Sequence, residues 1–212
     1  MAQMSLLNKL DKHFVAAAAT AVVAGGAQGA IIYSGVVNIA IPLNFDGVYL
    51  NVVTGATGTS GAGTPGWDIN PYGATALTWF TPGTPAASHG LVRGQGSSTT
   101  FVDNLAGLSN YVIDGSASQN YGTGTNETTG ATAFVFNSSN NIVGFRFFNE
   151  ATGAVNYGWM RLSLGASFGS TRSIVDYAYE DTGAGIVAGA IPGPGAIALL
   201  GLAGLAGRRR RA

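Results

Sequence analysis

The sequence predicts an all-β protein, an antiparallel β-sandwich of jelly-roll-like form, on two observations. The first is composition: 33 of 212 residues are Gly, only 9% are charged, and Thr, Ser and Asn crowd the middle of the chain. Glycine weakens helix interiors and β-branched threonine favours strands, so this mixture points away from helices. The second is a series of short apolar and aromatic runs of period two, clearest between residues 131 and 180, separated by Gly, Ser and Asn turns.

Taken in order, residues 31–41 read as a first strand and residues 47–53 as a second. In the second, Val48, Leu50 and Val52 share one face, and Tyr49, Asn51 and Val53 the other. An Asp46-Gly47 turn lies between the two, so they are expected to pair as a hairpin. Residues 54–66 are Gly, Thr, Ser, Ala and Pro, which cannot fill a core and are expected as a surface loop. Strand character returns at 67–72 and 76–81, where Trp79 and Phe80 are large enough to anchor a core. Residues 82–130 read mostly as loop, with short strands or turns at 105–108 and 111–113. Runs 131–137, 141–148, 155–164 and 172–180 are expected as four consecutive antiparallel strands. The turns at 138–140 and 150–153 are too short for a parallel crossover. About nine strands in all suit a sandwich.

The two ends have a different character, which divides the chain into segment 1–30, a passenger body 31–185 and segment 186–212. Segment 1–30 opens polar and basic (Lys9, Lys12), continues apolar from Phe14 to Ala24 and ends in small residues, the layout of a secretory signal peptide. Cleavage is expected after Ala27 or after Gly29, since both cuts follow small residues. An Ala-rich helix that stays attached is the alternative. At the other end, Pro192-Gly193-Pro194 precedes an apolar run from Ala196 to Gly207 and then Arg208, Arg209, Arg210 and Arg211. Two prolines so close cannot both sit inside a helix, so they mark a joint and the helix starts after them. Twelve helical residues extend about 18 Å against a hydrocarbon core of about 30 Å, which favours transient retention in the inner membrane over permanent spanning. The Arg cluster is expected to stay on the cytoplasmic side, where cations are favoured.

Charge follows the same division. Between residues 31 and 190, four Arg stand against nine Asp and Glu, a net charge of −5 in a chain whose total is zero. Such a body repels phosphates, so no nucleic acid partner is expected. The absence of Cys excludes disulfides, thiolate metal sites and Cys nucleophiles.

The tail resembles the PEP-CTERM sorting signal of exopolysaccharide-producing bacteria, with its Pro-Glu-Pro-type motif, short apolar helix and terminal Arg cluster. Here Gly193 replaces the central Glu, a variant of the motif. The resemblance covers residues 191–211. It implies Pro192, Gly193 and Pro194 as recognised residues, an exosortase-type membrane enzyme as partner, and removal or transfer of helix and Arg tail after passage through the export machinery. The runs 143–147, 157–162 and 176–180 are similar to segments of passenger domains in that family, most of which lack an assigned activity, while the two terminal signals imply a place at the cell surface or in extracellular polysaccharide.

No catalytic constellation stands out. Nothing in the spacing of nine carboxylates selects the pair that a glycosidase needs. Arg146 and Arg161, with Glu150 between, and Arg172 near Asp176, Glu180 and Asp181, read as cross-strand ion pairs. His89 is the one His after the signal segment and reads as a loop residue without triad or zinc partners. Asp46, Asp68 and Asn70 offer oxygens for Ca²⁺, but such residues also start turns by bonding their own backbone. The sequence thus predicts a non-enzymatic exported surface or matrix protein that takes no cofactor. The alternatives are a lectin-like module stacking sugars on Trp67, Tyr72, Trp79 and Trp159, and an enzyme acting on polysaccharide.

Overall fold

The computed structural model describes residues 29–93, 101–122, 127–129 and 134–193. The helices expected before and after the body, with Ala27, Pro194 and Arg208 to Arg211, lie outside these residues. The described chain is all β with antiparallel sheets. It begins with β1 (Ile31–Tyr33), β2 (Ile39–Ala40), β3 (Tyr49–Leu50), β4 (Thr57–Gly58), β5 (Asn70–Tyr72) and β6 (Thr78–Phe80). Then come β7 (Gly90–Leu91), β8 (Val112–Ile113), β9 (Glu127–Thr128), β10 (Ser138–Asn149), β11 (Ala154–Leu164), β12 (Arg172–Glu180) and β13 (Ile186–Val187).

Three long strands frame the molecule, because only there does period-two alternation run unbroken. β10 sends Val143, Phe145 and Phe147 to one apolar cluster and Ile142 to the other. β11 likewise divides Met160, Leu162 and Leu164 from Trp159. A register shift against β11 leaves Val175 as an extra residue in β12, so Ile174 and then Tyr177 and Tyr179 all reach the first cluster. The β10–β11 turn closes where Gly153, at a φ of 68°, donates its N–H to the Asn149 carbonyl at 2.8 Å.

These strands form the centre of a six-stranded sheet in the order β7-β10-β11-β12-β1, with β2 also on β12. Sheets β3-β4 and β5-β6-β9 and the pair β8-β13 are separate. Residues in or just before strands of the first two, including Leu50, Ile69, Leu77 and Trp79, pack into the first cluster. Val92, Leu105, Ile113 and Ile186 cover the opposite face. That face comes so close at Gly144 that a Cβ there would lie 2.7 Å from Val92 Cγ2 and 2.9 Å from Leu105 Cδ1.

The hairpin expected from Asp46-Gly47 does not form. Residues 31–41 instead run along the edge of β12, through β1, β2 and the bonds Val37 N–H to Val175 O and Ile41 N–H to Arg172 O. Residues 48–50 pair with 57–58 and with 69–71, the Leu50 N–H donating to Ile69 O at 2.9 Å. The chain bends before Gly47, but the first run pairs with distant β12 and the second with nearby β4 and Ile69. Of the expected strand 131–137, residues 134–137 are not strand and the rest lie outside the described residues. The Asn141 side chain takes a strand's place at Val135, accepting its N–H at 2.7 Å and donating to its carbonyl at 2.9 Å. Residues 105–108 are a turn, and 112–113 are a strand as expected. Although sequence assigns Ile186 to the tail, its side chain is buried in the second cluster and Ala188 donates its N–H to Tyr111 O at 2.8 Å.

Candidate functional site

His89 is not an isolated loop residue. It is 4% exposed, with Nδ1 2.9 Å from Ser88 Oγ and Nε2 3.6 Å from Oδ1 of fully buried Asp68. Sequence reasoning missed this grouping because 20 residues and two strands separate Asp68 from Ser88, leaving no spacing signal. The contacts follow the Ser-His-Asp order, yet the protons are arranged differently from a nucleophilic triad. Ser88 Oγ already donates to Pro85 O at 2.5 Å, so Nδ1 must be the donor in its contact with Ser88. Nε2 is then an acceptor, in keeping with its 3.4 Å bond from the Phe148 N–H. The 3.6 Å between Asp68 Oδ1 and Nε2 is too long for a hydrogen bond, and among the described residues this buried carboxylate oxygen has no hydrogen-bond partner. Burial raises the Asp68 carboxyl above its ordinary range, opposed by the nearby His89 and by the bond from the Val52 N–H. All three side chains are buried, so among the described residues this is an interior contact rather than an exposed triad.

The expected ion pairs are realised in part. Arg161 meets Asp176 across β11 and β12 at 3.1 Å, and Tyr33 donates its hydroxyl to the other Asp176 oxygen at 2.8 Å. Arg172 pairs with none of its neighbouring acids. Buried to 2% exposure, its guanidinium donates to the carbonyls of Pro42, Gly73, Ala76 and Phe168, and burial lowers its pKa. Arg146 lies 4.5 Å above the Tyr121 ring rather than on Glu150. Tyr121 is itself pushed well above its usual phenolic range, chiefly by burial.

The four aromatic residues expected to share a platform are dispersed. Trp79 and Trp159 are fully buried in different clusters, and Trp79 donates its indole N–H to Thr129 Oγ1 at 2.8 Å. Half-buried Trp67 packs with Tyr49 at 4.8 Å and Phe80 at 5.2 Å between ring centroids. Neither of two open grooves has a carboxylate pair: one lies between Tyr33 and Thr57, the other between Asp103 and Ser138. At the candidate calcium position, Asn70 donates to the Asp46 carbonyl at 2.8 Å and Asp68 turns inward to Val52, so these residues bond backbone.

Both ends of the body meet the second cluster at Trp159, which lies 6.4 Å from the Tyr33 ring and donates its indole N–H to Ala190 O at 2.9 Å. Beyond Ala190 the chain turns outward: Ile191 is 53% exposed, Pro192 half-buried and Gly193 exposed. At the other end, Gly29 presses on the Glu180 carboxylate, and the Ala30 N–H donates to Asp181 Oδ1 at 2.7 Å. Comparison with known proteins returns no matching family model, no similar characterised protein and no similar solved structure.

Proposed function

We propose that the chain is an exported cell-surface or extracellular-matrix protein, non-enzymatic, whose β body travels as a passenger between a signal peptide and a C-terminal sorting segment. The observation that carries this reading is the outward exit at residues 191–193. Directly after Ala190 is tied to Trp159, the first residues of the Pro192-Gly193-Pro194 motif come to the surface, within reach of an exosortase-type membrane enzyme. The apolar run and Arg tail then retain the chain transiently at the inner membrane. The acidic body and its sealed Asp68–His89 contact suit a structural role in extracellular polysaccharide. A jelly-roll-like sandwich draws support from the packing of the small sheets onto one face of the central sheet.

Cell fractionation with intact-mass analysis tests the proposal. Envelope or extracellular protein lacking residues 1–27 or 1–29 is the expected result, and cytosolic protein with both ends intact would end it. The half-buried cluster of Tyr49, Trp67 and Phe80 favours a second reading, sugar stacking in a lectin-like body. Glycans that quench indole fluorescence in the parent protein and not in Trp67→Ala would establish it. Equal quenching in both would remove it.

A further inference from the structure

The sequence leaves two cleavage points open, and the junction between β1 and β12 distinguishes them. We propose that the signal segment is cut between Gly29 and Ala30 and that the new Ala30 ammonium latches onto Asp181, fastening the first strand to the central sheet. The inference rests on the export reading above.

Three observations converge on this bond. Ala27-Gln28-Gly29 places small residues at the first and third positions before the cut, the A-x-A-like pattern of signal processing. The nitrogen that the cut would release already lies 2.7 Å from Asp181 Oδ1, while the Asp181 N–H donates back to Ala30 O at 3.2 Å. Asp181 lies at this nitrogen and Glu180 against the preceding Gly29, and among the described residues no cationic side chain forms a salt bridge with either. Glu180 is 4% exposed, and the Thr182 hydroxyl and N–H donate to its carboxylate. A cation is the missing complement, and the cut supplies one. Hydrolysis adds one water across the Gly29–Ala30 amide, leaving Gly29 as a carboxylate on the departing segment and Ala30 as an ammonium. The 2.7 Å amide contact then becomes a charge-assisted bond between ammonium and carboxylate.

A cut after Ala27 would instead leave residues 28 and 29 attached and keep Ala30 an uncharged amide. Gly29 would remain against Glu180, where any side chain would collide with the carboxylate.

The sequence offers a chemical handle for the test. Lys9 and Lys12 are its only lysines, so the processed protein carries a single primary amine. N-terminal sequencing of protein recovered from the envelope should begin at Ala30. A start at Gln28 overturns the inference while leaving export intact, whereas a cytosolic chain starting at Met1 overturns the export reading itself. Trinitrobenzenesulfonate should then label the native amine roughly tenfold more slowly than in Asp181→Asn, because an opposite charge holds an amine in its unreactive protonated form. Acetylating the amine preserves an N–H for Asp181 but removes the charge, and should lower the melting temperature by about 2–4 °C. Equal labelling in parent and Asp181→Asn, or unchanged melting after acetylation, would show that no latch exists.

Discussion

At the residue scale, the two most deeply buried charged groups do opposite things for stability. Arg172 brings a full charge into the body and has only carbonyl dipoles to receive it, yet its four carbonyls come from three separated stretches of chain. Removing it leaves several buried acceptors without donors, each costing about 1–3 kcal/mol. Arg172→Ala should therefore lose about 3 kcal/mol or more, measured by urea unfolding. Arg172→Lys, with a compact ammonium in place of a planar fork, should retain part of that. Asp68 works the other way. Its folded-state pKa is raised, so its contribution is fully present below the ordinary carboxylate range and is lost as pH rises through the folded value. Asp68→Asn keeps an acceptor for the Val52 N–H, with nothing left to ionise. The variant should melt higher than the parent at pH 7, with the difference closing towards pH 3. A gap that persists unchanged in acid would place the effect elsewhere.

At the element scale, the strands divide by what alternation can specify. β10, β11 and β12 were legible because each spans 9 to 12 residues and is joined to the next by a short connection. The short strands were legible only in part: β3, β5, β6 and β8 fall within expected runs, whereas β4, β7, β9 and β13 carry almost no period and the distant partner of β1 left no local signal. β1 pairs with Ala178, Tyr179 and Glu180, nearly 150 residues away. Asp46-Gly47 identified a bend correctly and the partner wrongly, for turn chemistry reports the bend and leaves the pairing open. The buried contact of Asp68 with His89 was illegible because the two residues lie just ahead of β5 and β7, strands of different sheets. Gly144 shows how closely the covering layer approaches β10. Gly144→Ala pushes a methyl against Val92, Leu105 and Ile113, and overpacking of this kind costs about 1–3 kcal/mol. Chemical denaturation of the variant checks it, and a neutral result would mean that the covering loops yield freely.

At the scale of the whole molecule, charge distribution turns processing into a measurable quantity. The full chain is formally neutral, with a pI near 6.7, only because basic ends offset an acidic body. Residues 31–190 alone carry −5, and Arg208 to Arg211 return four of those charges. Removal of the signal segment leaves the side chains at −1, while loss of the Arg tail as well takes them to −5. Isoelectric focusing of protein from successive cell fractions should therefore resolve a near-neutral precursor, a slightly acidic membrane-held form and a strongly acidic final form. A plain C-terminal anchor would stop at the second species, since its Arg cluster never leaves. Tail processing would move the protein to the third. Replacing Pro192 and Pro194 with Ala should then trap the chain at the second species without altering the fold, because Ala190, tied to Trp159, lies ahead of both prolines. Were that double variant to reach the acidic form as fast as the parent, the Pro-Gly-Pro segment would not be the element that directs the cut.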